Sequence, residues 1–225
     1  MISNRLRSLT KYIGGDDKLI DVGCDHALLD IYLIKNNILK KILVSDVNEK
    51  ALEQGIKNIN KYGLNKQIET SLSNGIEKIN KNINTAVISG MGTKTIVNIL
   101  SHSNLKYLNK LIIQSNNDYD ELRRTIVKKG FYIENEEIIQ ERGKYYINIL
   151  FLRGHKKYSK KEFKYGIIFM DSSNKSYYEY LLQEEKKILK KIPKSKILLR
   201  FKHQITINEL KNIIKNQTKK VKHEK

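Results

Sequence analysis

The sequence predicts an open α/β sheet, doubly wound and mostly parallel, with one antiparallel strand near its end and a helical hairpin after it. Three observations carry that expectation. Short apolar runs alternate with helical patterns five times over residues 18–130, the rhythm of repeated βα units. Two longer segments, 131–141 and 144–153, then flank Arg142-Gly143, which reads as a hairpin turn. Beyond residue 153 the strand pattern stops, and apolar residues recur at helical spacing among lysines.

Each element has its own signal. Leu6, Leu9 and Ile13 form one face of a short helix over 3–13, with arginines on its other side. KLIDVG (18–23) is a buried strand ending in a turn, and 26–39 reads as helix. KILVSD (41–46) is the second strand, followed by a helix over 48–61 that Gly63 stops. A weaker strand over 67–72 leads into Asn74-Gly75. NTAVISG (84–90) and LNKLIIQS (108–115) are strands four and five, with helix over 93–103 between them. Residues 118–129 place acids early and bases late, and Gly130 stops that helix. In the last third, Leu181, Ile188 and Ile192 share a helical face that ends at Pro193. Thr206-x-x-Glu209 reads as a capping box opening a final helix through Ile207, Leu210, Ile214 and Gln217. KILLRF (196–201) fits helix or loop equally.

With 225 residues, 40% of them apolar, the chain can bury the core of one full α/β domain and a smaller appendage. The domains expected are 1–153 and 154–225. No run of about 18 apolar residues exists, and the N-terminus lacks a secretory signal, so a cytoplasmic protein without a membrane partner is expected. The single cysteine, Cys24, excludes an intrachain disulfide, and the five scattered histidines imply no metal. Charge is the strongest compositional feature: 43 Lys and Arg against 24 Asp and Glu, net +19. Residues 154–225 hold 20 basic and 7 acidic residues, net +13. An anionic partner is implied, nucleic acid first. An AT-rich genome's preference for Lys, Asn and Ile accounts for part of the excess.

Ligands of open α/β sheets lie beyond the carboxyl ends of the strands, so the strand ends are where chemistry is sought. Strand one ends Asp21-Val22-Gly23-Cys24-Asp25-His26. Gly23 lets the backbone approach a nucleoside, and Asp21 can orient the loop or meet a cationic amine. No G-x-G-x-x-G follows, so nothing seats a pyrophosphate on the helix N-terminus. That favours S-adenosylmethionine over a dinucleotide. Asp46, ending strand two, can accept both ribose hydroxyls of an adenosine; alternatively Asp46 or Asn48 caps the next helix. Asn74-Gly75 offers an amide to an adenine, or is a plain turn. Gly90 and Met91 leave room for a planar base or a methyl donor. Gln114-Ser115-Asn116-Asn117-Asp118 is a dense hydrogen-bonding cluster fit for the edge of a target base, and one member should cap the following helix.

In order and spacing, DVGCDHALLDIYLI, VSDVNEKAL, ISGMGTKTIVNIL, IIQSNNDYDELR and IIQERGKYYINILF resemble the bacterial tRNA adenine-22 N1-methyltransferases. The resemblance covers about residues 2–153. It implies a Rossmann-like class I methyltransferase sheet, S-adenosylmethionine as donor, tRNA as partner, and a helical, coiled-coil-like C-terminal extension. Cofactor binding then falls to Asp21, Gly23, Asp25, Asp46, Asn74, Gly75, Gly90, Met91 and Gln114, with Asp25, His26 and Asn116 positioning the base. Arg5, Arg7, Lys156, Lys157, Lys160, Lys161, Lys190 and Lys191 are the candidates for RNA contact. No obligate protein partner is implied, and a monomer is expected. The chain departs from the family at Thr93, where glycine is usual, and at Ser115, where proline is usual. The competing readings are a nucleotide dehydrogenase, which lacks its glycine fingerprint, a methyltransferase of another RNA base, and a non-catalytic RNA-binding module on the same fold.

Overall fold

In the computed structural model, which describes residues 2–223, the chain folds as two compact units, Met1–Lys164 and Tyr165–Lys225. The last two residues of the basic extension, 224–225, lie outside the described residues. The first unit is built on a seven-stranded sheet: β1 Leu19–Val22, β2 Ile42–Asp46, β3 Ile68–Leu72, β4 Thr85–Met91, β5 Lys110–Ser115, β6 Phe131–Glu141 and β7 Lys144–Arg153. Their order is β3-β2-β1-β4-β5-β7-β6, with β7 antiparallel to both neighbours and every other pair parallel. Chain direction across the sheet reverses between β1 and β4, which opens a crevice at their carboxyl ends. The central strands read as continuous apolar runs because the sheet interior excludes water on both faces; Ala86, Val87, Ile88, Leu111, Ile112 and Ile113 are fully buried.

The helices of this unit are α1 Asn4–Leu9, α2 Leu28–Lys35, α3 Glu49–Lys61, α4 Thr93–Ile99, α5 Tyr119–Lys128 and α6 Lys160–Tyr165, the last crossing into the second unit by one residue. The α1 helix is shorter than the apolar spacing predicts; Thr10–Tyr12 tighten into a 3-10 turn. Likewise the helix expected over 93–103 stops at Ile99, and Ser103–Tyr107 form a second such turn.

The first unit runs past the expected boundary at residue 153. Tyr158 ties residues beyond β7 back to the sheet: its hydroxyl accepts from the Ile133 amide at 2.8 Å and donates to the Ile133 carbonyl at 3.1 Å. Arg123 of α5, 1% exposed, pairs through Nε with Glu136 of β6 at 2.6 Å and donates from Nη1 to the Phe163 carbonyl at 2.9 Å. A buried guanidinium needs this many acceptors to offset its desolvation.

The second unit pairs α7 Lys175–Lys191 with α8 Ile197–His223. KILLRF resolves as helix from Ile197 onward. The expected start of the last helix at Thr206 is therefore wrong: Thr206 is internal, and its hydroxyl reaches the Lys202 carbonyl at 3.4 Å. Glu209 accepts from the Tyr165 hydroxyl at 2.7 Å instead of capping. The sequence pattern of a capping box does not distinguish a helix start from a mid-helix coincidence when good helix formers precede it.

Candidate active site

A cavity of about 350 Å³ opens at the crevice, lined by the ends of β1, β2 and β4 and by α1. Asp21, Gly23, Asp25, His26, Asp46, Gly90 and Met91 all line it, as the strand-end argument predicts. A wider cavity, about 860 Å³, lies at the opposite ends of β1 and β2 and gathers none of these residues.

The turn after β1 is strained in a regular way. Gly23, Asp25 and Ala27 all have positive φ, at 75°, 46° and 53°. Only Gly23 is free of steric cost there, and a Cβ on it would sit 2.1 Å from the Met91 methyl. The backbone thus passes close under the β4 turn, leaving the cavity floor bare of side chain. Asp25 and His26 stand at the mouth, side chains largely exposed, with Nε2 of His26 3.6 Å from an Asp25 carboxylate oxygen.

Asp46 is half-buried. Its carboxylate accepts from the Asn48 amide at 2.8 Å and, more weakly, from the Asp25 amide at 3.4 Å. Capping of α3 belongs to Asn48, whose side chain accepts from the Ala51 amide. Asp46 is therefore not the helix cap, and its carboxylate lines the cavity with lone pairs to spare. Behind it, Asp21 and the fully buried Asp30 of α2 stand together, and burial pushes both carboxyls upward. The same burial, reinforced by these carboxylates, raises the Cys24 thiol, which stays neutral and is no nucleophile.

The β5 cluster is placed differently from the expectation. Gln114 is fully buried and does not reach the cavity: its Nε2 donates to the Ser115 carbonyl at 2.7 Å, and its Oε1 accepts from Arg5. Asn116 is exposed and does not line the cavity; its Nδ2 donates to the Gly90 carbonyl at 2.6 Å and its Oδ1 accepts from Gln114 Nε2 at 3.4 Å. No side chain caps α5; Asn117 reaches across to accept from the Thr93 amide, capping α4. The two departures from the family pattern meet. The hydroxyls of Thr93 and Ser115, both buried, are 2.9 Å apart. Glycine and proline would bring no hydroxyl to either place, so the pair replaces a stiff segment with a bonded one.

Asn74 is exposed and Gly75 buried; neither lines the cavity. Gly75 answers to packing, because a Cβ on it would meet Ile99 at 2.5 Å. Among the RNA candidates, Arg7, Lys157, Lys160, Lys161, Lys190 and Lys191 are exposed. Lys156 is engaged with Glu134 at 3.0 Å and lies over the Tyr132 ring. Arg5 is not a surface residue of this kind. It lines the cavity, a placement the amphipathic pattern of 3–13 did not reveal, because that pattern says nothing of what the polar side of α1 faces.

An open sheet with its seventh strand inserted antiparallel beside β5, and a glycine- and acid-lined crevice at the β1/β4 reversal, defines a class I methyltransferase. Comparison with known proteins agrees. The methyltransferase domain family matches residues 2–149. The tRNA (adenine(22)-N(1))-methyltransferase of Bacillus subtilis is 30% identical over 148 residues, covering 64% of this chain and 62% of that protein. Mycoplasma capricolum TrmK, solved with S-adenosyl-homocysteine, is 32% identical with a TM-score of 0.85, covering 96% of this chain and 99% of that one. Streptococcus pneumoniae Sp1610, solved with S-adenosyl-L-methionine, is 28% identical with a TM-score of 0.86, covering 95% and 100%. The chain belongs to the methyltransferase domain family, in its TrmK-like branch. The sequence matches span 56 to 62% of the length of the curated relatives.

Proposed function

We propose that the protein transfers a methyl group from S-adenosylmethionine to N1 of an adenine in tRNA, at position 22 as in the relative from Bacillus subtilis. The observation that carries this reading is the crevice itself: a free acceptor, Asp46, on one side and bare backbone at Gly23 and Gly90 on the other. That arrangement fits an adenosine with an amino-acid tail and offers no seat for a pyrophosphate.

When bound, S-adenosylmethionine supplies a sulfonium methyl; the in-plane lone pair of adenine N1 forms the new N–C bond as the C–S pair returns to sulfur, and no proton leaves N1. No general base is then required of the protein, and alignment is its main contribution. Asp46 accepts the ribose hydroxyls. Asn116, held by its Nδ2 bond to the Gly90 carbonyl, offers the exocyclic amine of the target base the second lone pair of an Oδ1 that already accepts from Gln114. Asp25 and His26 flank the mouth on the other side and orient the base. The exposed lysines of the basic extension neutralise tRNA phosphates. In this reading the enzyme works as a monomer in the cytoplasm. The test is transfer of radiolabelled methyl to unmodified tRNA, followed by mass spectrometry of the nucleosides. Labelled 1-methyladenosine is expected; binding of tRNA without transfer would favour the non-catalytic alternative.

A further inference from the structure

Of the eleven large hydrophobic side chains exposed among the described residues, six lie between Ile188 and Ile205, at the closed end of the α7–α8 hairpin. The same stretch is strongly basic: residues 186–205 hold eight Lys and Arg and no Asp or Glu.

The first turns of α8 are inside out. Arg200 and His203 face α7. Arg200 Nη1 donates to the Leu189 and Ile192 carbonyls at 3.0 and 2.6 Å, and His203 Nδ1 lies 2.6 Å from a Glu185 carboxylate oxygen. Those carbonyls are the ones the end of a helix leaves without partners, so Arg200 caps α7 and pins the tip of the hairpin. Ile207 and Leu210 continue the same face of α8 and are buried. On the opposite face Ile197, Phe201 and Ile205, spaced by four, are 72%, 64% and 44% exposed, with Leu198 beside them at 86%. Packing within the hairpin does not account for this arrangement, because it leaves the apolar row in water. A contiguous exposed apolar patch marks an interaction surface.

The charge narrows the partner. A second copy of this chain brings the same cations to the contact and is repelled. An RNA loop offers what the tip lacks: each nucleotide joins a phosphate to the flat face of a base. Lys194, Lys196 and Lys202 flank the apolar row closely enough in sequence for both halves of a nucleotide to be met together. We propose that the tip of the hairpin is a wedge that takes an unstacked base of tRNA, with Phe201 and Leu198 against the base and the flanking lysines on its phosphates. The proposal rests on the reading of tRNA as substrate and adds to it a contact that salt does not screen.

The test measures tRNA binding to the full chain by filter binding between about 50 and about 200 mM salt. A base stacked on an apolar side chain corresponds to roughly tenfold in affinity or more. Leu198→Gln combined with Phe201→Gln places helix formers at two exposed positions, so the fold and the affinity for S-adenosylhomocysteine are retained. That protein should bind tRNA roughly tenfold or more weakly at every salt concentration, with the salt slope kept. Lys194→Gln combined with Lys196→Gln should instead lower the slope by about 1.5 to 2. A blunt RNA duplex without loops should bind the wild type and the Leu198→Gln, Phe201→Gln protein alike. Unchanged tRNA affinity in that folded protein overturns the wedge, as does an equal loss on the duplex. The wedge also falls if the two substitutions abolish binding to phosphatidylglycerol vesicles and spare tRNA, which assigns the face to lipid, or if they dissociate a dimer seen by sedimentation and spare tRNA. If the wild type binds no tRNA at any salt, the tRNA reading falls and takes this proposal with it.

Discussion

At the scale of single residues, the acids of the crevice have separate duties set by their burial. Asp46 is half-exposed and stays available; its replacement by alanine should weaken S-adenosylhomocysteine binding by roughly 1.5–3 kcal/mol, measured by calorimetry, with the fold retained. Unchanged affinity in a folded Asp46→Ala protein would remove the ribose assignment. Asp21 and Asp30 behave otherwise. Desolvation raises both first: Asp21 goes from its usual 3.8 to about 7, helped by the charge of Asp46 and held back by a hydrogen bond with Asp30, while Asp30 is pushed further up by Asp21. The folded state therefore keeps protons that the unfolded chain has released over that range. The stabilisation is complete below the unfolded value, near pH 3.8, and is lost as pH rises through about 7. Asp30→Asn removes one acid of the pair. Urea unfolding from about pH 5 to about pH 8 should show stability declining in the wild type and declining less in Asp30→Asn. Parallel pH profiles would mean that the pair does not share this burden.

At the scale of elements, the decisive feature is the clasp between the ends of β4 and β5. Asn116 holds the Gly90 carbonyl, Asn117 caps α4, and Ser115 meets Thr93. The dense amides legible in the sequence are thus mostly structural, with Asn116 exposed beside Gly90. Asn116→Ala is expected to lower methyl transfer at least about tenfold while changing cofactor affinity little, since losing one acceptor costs about 1–3 kcal/mol at the base alone. Single-turnover transfer rates beside calorimetric affinities distinguish the two effects. Survival of transfer within about twofold would assign Asn116 wholly to the clasp. The hairpin β6–β7 was legible to the residue, at 131–141 and 144–153, because its alternation and its Arg142-Gly143 turn are local signals. The start of α8 was not, since Ile197, Leu198, Leu199 and Phe201 are exposed apolar residues with no buried face to mark a helix.

At the scale of the whole molecule, the basic excess lies mainly in residues 154–225, net +13. Release of condensed cations from phosphates makes such binding fall steeply with salt. A protein ending after Lys164 should keep cofactor affinity, bind tRNA far more weakly than the full chain, and show a smaller salt slope. The cut belongs after Lys164 and not after Arg153, because Tyr158 and Phe163 complete the first unit against Ile133 and Arg123. Equal tRNA affinities and salt slopes for two folded proteins would mean that the extension does not carry the RNA contact.

The sequence by itself determined the alternation of strands and helices, the terminal hairpin, and the strand-end residues Asp21, Gly23, Asp25, His26, Asp46, Gly90 and Met91 that share one cavity. These follow from local periodicity and from the rule that a doubly wound sheet gathers its strand ends. Tertiary structure alone decided which polar residues are left free. Asn48 rather than Asp46 caps α3, Gln114 is turned inward, and Asp30 is paired with Asp21 in the interior. It alone brought Arg5 into the cavity, since that placement depends on β7 and Glu141, some 136 residues away along the chain. Spacing along a chain records which face a residue occupies, but not what another part of the fold sets against that face.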